Sequence, residues 1–230
     1  QVVVLYLFEA LAKAKERKAI LPMLMHLRKA TPWMAGRYRA LLVSYGTMLL
    51  PYLKSRLKND RTYFSLLVAH YARIYPTEVL KEYLIRQAQA KNILIRKAAL
   101  EVLCLHFPTT LHTPLFLESA YRSTLPFVIR SYARLQDKKA LPLMLKYAKR
   151  LDIRQQLVQS ISEMAYRDPS LLGELLTLFE KKRSKSETEV LSKVLDNRLT
   201  YILESHQGPL DERLTSLVAS LVNQAHISGL

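Results

Sequence analysis

Cys104 and His106 are the one pair of residues whose types suggest a nucleophile and its base. A thiol becomes a catalyst when an imidazole lies within hydrogen-bond reach of it. Here the two stand two positions apart in a segment with helical periodicity, where such side chains point in different directions. They read as a core thiol beside a helix-end histidine, the usual place of a free cysteine. His26, His70, His112, His206 and His226 are scattered without metal-ligand spacing. No Gly-rich phosphate loop, His-Glu-x-x-His or Gly-x-Ser-x-Gly motif occurs. Glu163 and Asp168, in a turn region, carry no signal of paired general acids. The sequence predicts a protein that is not an enzyme and needs no cofactor or metal.

The cations are more informative. The chain of 230 residues carries a formal net charge of +16, which favours polyanionic partners: nucleic acid, an anionic membrane surface or an acidic protein. Residues 1–110 hold 18 Lys and Arg against 6 Asp and Glu, whereas residues 111–230 hold 17 against 13. In the first half aromatic residues interleave with the cations. Trp33 and Tyr38 accompany Arg37 and Arg39; Tyr52 and Tyr63 flank Lys54, Arg56, Lys58 and Arg61; Tyr71 and Tyr75 flank Arg73. Cations neutralise phosphates, and aromatic faces stack on unpaired bases or sit at a headgroup layer. Arg37, Arg39, Lys54, Arg56, Lys58, Arg61 and Arg73 are therefore the candidate ligand-binding surface. The competing reading is a solvated helix face with tyrosines packed between repeats.

The elements that must position these residues are helices. Half of the residues are apolar, 23% are charged and only 5 are Gly, a composition that argues against a loop-rich or β-sandwich protein. A single cysteine excludes an internal disulfide framework and fits a cytoplasmic protein. Leu141, Met144, Leu145, Ala148 and Leu151 fall at helical spacing. After a break at Asp152, so do Ile153, Leu157, Ile161 and Met164. Each half is too short to bury its apolar stripe alone, so the unit is a helical hairpin that needs neighbours. Leu21-Pro22 and Leu50-Pro51 match Leu141-Pro142 as helix-start marks, because Pro loses no intrahelical bond in a first turn.

Further starts are a cap at Asp60 for a helix over 61–74 and a cap at Asn92 for Ile93–His106. Asp168-Pro169 opens a helix over 170–180, and Ser186-x-x-Glu189 forms a capping box ahead of 190–203. Residues 115–123 and 125–135 read as a compressed helix pair. Residues 108–114 read as a loop that could divide the chain, and Lys181, Lys182, Arg183 and Lys185 as a basic loop. The final helix is expected over 211–225. No segment alternates with the period of a strand. The chain opens on Gln1 rather than Met, which predicts preceding sequence, and the apolar run of residues 2–8 is too short to cross a bilayer.

Leu-Pro-x-x-Leu…Asp-Ile-Arg…Ile over 141–161 resembles a HEAT repeat, the armadillo-like helical hairpin. Residues 92–103 resemble its second helix, and Phe127-Val-Ile-Arg-Ser-Tyr-Ala does so more loosely. The resemblance covers residues 18–205. It implies an all-α chain: an α-solenoid of about six HEAT-like helical hairpins with terminal capping helices, displaying a concave face. The repeats are spaced near thirty residues, shorter than the ~40–47 of the family. By the same resemblance, Arg96, Arg130 and Arg154, each following an Ile, stand where such repeats carry a structural arginine. There they would tie repeat to repeat through a carbonyl or an acid, with Asp152 a nearby acid.

The expected function is a non-enzymatic scaffold that binds a protein partner, or another part of its own chain, through its concave face. The alternatives are nucleic-acid binding and association with an anionic membrane surface. Alkylpurine DNA glycosylases are similar in size, charge and helical scaffold, but they rely on several aromatic residues and an Asp around a damaged base. This chain has one Trp and no Asp that can be placed beside it.

Overall fold

Apolar residues at three- and four-residue spacing fold this chain into helices, and no strand occurs among the described residues. The computed structural model describes residues 2–59, 61–119, 121–168, 170–180 and 184–205. In order the helices are α1 (Val2–Lys13), α2 (Ile20–Lys29), α3 (Pro32–Ser44), α4 (Leu50–Lys54), α5 (Thr62–Ile74), α6 (Glu78–Gln87) and α7 (Ile93–His106). They continue with α8 (Pro114–Leu117), α9 (Leu125–Leu135), α10 (Leu141–Lys146), α11 (Leu151–Arg167), α12 (Leu171–Glu180) and α13 (Lys185–Ser205). The chain divides into two compact units between Val128 and Ile129, within α9.

In the first unit α2 packs against α3, α3 against α5, and α5 against α6 and α7. The second helices α3, α5 and α7 thus follow one another as neighbours. Phe8 of α1 meets His26 of α2 and Tyr38 of α3 edge-on, at ring-centroid distances of 5.3 and 6.0 Å. In the second unit α11 lies against α13, and α12 packs on both.

The joint between α4, α5 and α6 is polar and buried. The Ser65 hydroxyl sits 2.8 Å from the Tyr83 hydroxyl and donates to Gln87 Oε1 at 3.0 Å. Tyr83 Oη also lies 2.9 Å from the Asn59 carbonyl oxygen, and Arg86 donates to the Leu57 carbonyl at 2.8 Å. Buried polar atoms keep such partners because leaving one bare costs about 1–3 kcal/mol. This network fixes the position of the α4–α5 connection.

One turn occurs twice. Lys15 and Gln136 both adopt φ of 55°, the left-handed conformation that ends a helix. The next residue, Glu16 or Asp137, accepts a side-chain bond from the main-chain N–H two positions on, at 3.1 Å in both copies. A single 3-10 turn follows, Arg17–Ala19 or Lys138–Ala140, and then α2 or α10. The buried faces are Ile20, Met23, Leu24 and Leu27 in α2, and Leu141, Met144, Leu145 and Ala148 in the second copy. The copies are therefore 121 positions apart (15 to 136), not the 120 of the Leu-Pro match. Leu21 is 42% exposed where Leu141 is 1% exposed, which shows the one-residue slip.

Other boundaries also move. The hairpin break falls at Arg150, whose side chain holds Asp152 at 2.6 Å; Asp152 itself lies in the first turn of α11, where an acid suits the helix dipole. Asn92 caps α7, its Oδ1 accepting from Leu94 N–H at 2.9 Å. The capping box of α13 is Ser184-x-x-Glu187, not the later frame: Ser184 N–H donates to Glu187 Oε2 at 3.1 Å, and Glu187 N–H to Ser184 Oγ at 3.4 Å. Of the expected helix over 115–123 only α8 forms, and the expected loop before it winds into a 3-10 turn, Pro108–His112, with Leu111 buried. Asp60, Pro169, Lys181, Lys182, Arg183, His206, His226 and the helix expected over 211–225 lie outside the described residues.

Candidate functional site

Three helices bring polar groups to one groove in the first unit. On α5, Leu66, Ala69, His70 and Arg73 share a face at the spacing that aligns side chains on a helix. Arg39 enters from α3, and Ala98, Glu101 and Val102 from α7. The groove has a volume of about 190 Å³. Its apolar lining is Leu66, Ala69, Ala98 and Val102; its charged lining is Arg39, Arg73 and Glu101, with His70 among them.

The charges are unequally answered. Arg73 Nη1 pairs with Glu101 Oε1 at 3.3 Å, and His106 Nε2 lies 2.8 Å from the Arg73 carbonyl oxygen. Arg39 is half-buried, and among the described residues it forms no hydrogen bond or ion pair. Partial burial lowers its guanidinium below the ordinary value. The His70 imidazole is held below its usual value by burial first, then by the positive charges of Arg39 and Arg73. The groove is a place of unbalanced positive charge over an apolar floor, suited to an anion carried on a partly apolar chain.

The seven cations singled out in the sequence fall in three places. Arg39 and Arg73 meet in the groove. Arg37 is held apart by Glu9 at 2.5 Å and lies 5.8 Å from the Trp33 ring centroid. Lys54, Arg56, Lys58 and Arg61 gather on the α4–α5 connection. Arg61 precedes α5 and Arg73 ends it, a separation of about 18 Å at 1.5 Å per residue. The interleaved tyrosines do not join the cations as one surface: Tyr38 is 2% exposed and Tyr71 is 1% exposed. Trp33 stands out, at 68% exposed. His70 is the groove residue that sequence reasoning passed over; its signal was the i, i+3 spacing from Arg73.

The arginines set apart by the repeat pattern do something else. Arg96 Nη1 donates to the Ala90 and Lys91 carbonyls at 2.6 and 3.2 Å, and its Nε to Ser123 Oγ at 3.0 Å. Tyr121 stacks on its guanidinium at 3.9 Å. Arg154 donates to the Ala148 carbonyl at 2.7 Å, to Ser186 at 2.9 Å and to Glu189 at 2.8 Å. Arg130 donates to Gln156 Oε1 at 3.1 Å. The carboxylate that answers Arg154 is Glu189, while Asp152 is held by Arg150.

Cys104 is buried, and His106 points to the Arg73 carbonyl. Among the described residues no helix is long and apolar enough to cross a membrane, and no group of three or more His, Cys, Asp and Glu is arranged to hold a metal ion. No protein-family model, curated protein or solved structure matches this chain.

Proposed function

We propose that the chain is a non-enzymatic interaction scaffold of HEAT-like helical hairpins, arranged as a solenoid, and that the groove of α3, α5 and α7 receives an acidic segment of a protein partner. The observation that carries this reading is Arg39, a half-buried cation without a counter-ion in a groove whose floor is apolar. A partner carboxylate would answer that charge, and an adjacent apolar residue would cover Leu66 and Val102. Nucleic acid fits less well. A phosphate track calls for a row of cations and open aromatic platforms, whereas Tyr38 and Tyr71 are in the core and Glu101 lines the groove. The membrane alternative has its own observation: Val3, Tyr6 and Leu7 of α1 are exposed, on the side opposite the buried Leu5 and Phe8.

Fluorescence anisotropy with a labelled hexaglutamate peptide tests the reading, with a single-stranded oligonucleotide and anionic liposomes as the other arms. Peptide binding that weakens with salt and with Arg39→Gln is expected. Stronger retention of the oligonucleotide or the liposomes, unchanged by Arg39→Gln, would overturn it.

A further inference from the structure

An imidazole flanked by two guanidinium groups is a poor place for a further positive charge. His70 occupies that position in the groove, with Arg39 contributed by α3 and Arg73 one turn along its own helix. The remaining charged group lining the groove, Glu101 of α7, is taken up by Arg73 at 3.3 Å. Arg39 is the cation left unanswered. A guanidinium drawn partly out of water gains most from an anion placed directly against it. Any anion that reaches Arg39 in this groove also comes close to His70.

Resting on the reading of the groove as the seat of an acidic segment, we propose that Arg39 and His70 together bind one carboxylate of that segment, and that the carboxylate enters with a proton. The proton comes from solvent and settles on the His70 ring, which changes from neutral imidazole to imidazolium; no covalent bond forms or breaks. In the empty groove, burial and the charges of Arg39 and Arg73 keep the ring neutral at neutral pH. The incoming carboxylate offsets the field of Arg39 and favours the imidazolium, so the ring binds its proton more tightly in the complex. Linkage then fixes the sign. A group whose value rises on binding makes affinity increase as pH falls through the interval between its free and bound values. For His70 that interval opens below the ordinary imidazole value of 6.5. Glutamate side chains, near 4.3 when free, stay ionised throughout it.

Isothermal titration of the whole chain with hexaglutamate at pH 8 and pH 5.5, in buffers of different ionisation enthalpy, reads both affinity and proton uptake. A rise of about one unit in the His70 value gives about tenfold tighter binding at the lower pH. His70→Gln should still bind the peptide, with an affinity that no longer changes between the two pH values. Arg39→Gln should weaken binding at both. Acetate at equal carboxylate concentration should bind at least about tenfold more weakly, since it lacks the chain that covers the apolar floor. Equal affinity at the two pH values, or a slope that survives in His70→Gln, overturns the proton coupling and leaves the groove reading standing. Acetate binding as tightly as the peptide overturns the segment as ligand. No peptide binding at either pH overturns the groove reading and the seat together.

Discussion

Arg96 and Arg154 make the same reach: each guanidinium folds back to the main-chain carbonyl six residues earlier, Ala90 at 2.6 Å and Ala148 at 2.7 Å. The carbonyl in each case ends the preceding short helix segment, where the last C=O groups have no intrahelical partner. Each arginine also reaches forward along the chain, Arg96 to Ser123 and Arg154 to Ser186 and Glu189. One side chain thus closes a hairpin behind it and holds the segment that follows. A planar guanidinium with several fixed donors can do this; an ammonium cannot.

Replacing Arg96 by Met should therefore destabilise the protein by about 2–3 kcal/mol, since three acceptors lose their donor at a buried site. Arg96→Lys should recover little of that loss. Urea unfolding followed by circular dichroism measures both. A Lys variant as stable as the original protein would mean that charge, rather than the forked geometry, is what the site uses.

The polar joint at α5 and α6 makes a second quantitative claim. Tyr83→Phe deletes the hydroxyl that sits near Ser65 and the Asn59 carbonyl, and should cost about 1–2 kcal/mol. Ser65→Ala alone should also destabilise. The double variant should lose less than the two single losses together, because the residues share one network. Strict additivity in a double-mutant cycle would show that the hydroxyls act independently.

These two sites differ in how far the sequence revealed them. Arg96 and Arg154 stood out because each follows an Ile near the start of a periodic segment, and the local pattern carries that information. The Ser65–Tyr83–Gln87 network joins residues 18 and 22 positions apart, and no periodicity marks a serine as the partner of a tyrosine on another helix. Starts set by a side chain's own backbone geometry, such as Asn92, were legible. Ser184 and Ser186 both offered a capping-box frame, and tertiary demand decided between them: Ser186 and Glu189 are engaged by Arg154, and Ser184 with Glu187 caps the helix. The Leu-Pro match was one residue out of register because proline is tolerated at several positions of a first turn. In the groove, the sequence pointed to Arg39 and Arg73. Their meeting with His70 depends on α3, α5 and α7 lying side by side, which spacing within one helix does not specify.

Acid and alkali should weaken the second unit at one ion pair. Lys138 Nζ lies 2.7 Å from Asp168 Oδ2. The bond from Lys138, then that from Ser170, holds the Asp168 carboxyl below its usual 3.8, and the same pairing holds the Lys138 ammonium above 10.5. The carboxylate's contribution is complete above the unfolded value and lost as pH falls through the lower folded one. The ammonium's contribution is complete below its unfolded value and lost as pH rises through the higher folded one. The difference in urea midpoint between the original protein and Asp168→Asn should be level from about pH 5 to pH 9 and narrow outside it. A difference that persists undiminished well below pH 3 would assign the effect to lost capping of Ser170 alone.

Two glycines should answer the same substitution with opposite signs. Gly46 follows the end of α3 with φ of 58°, and a Cβ built there would stand 3.4 Å from Tyr75 Oη. An L side chain in that conformation costs roughly 1–2 kcal/mol, so Gly46→Ala should lower stability by about that amount. Gly173 lies within α12, exposed, with nothing within 4 Å of the added carbon. There alanine restricts the unfolded chain and favours the helix, so Gly173→Ala should raise stability by about 0.5–1 kcal/mol. Thermal unfolding of the two variants reads the signs directly. Because neither residue lies in the groove, both variants should bind hexaglutamate as the original protein does. A loss of binding in Gly46→Ala would show that the α3 terminus, through its contact with Tyr75, helps set the position of Arg39.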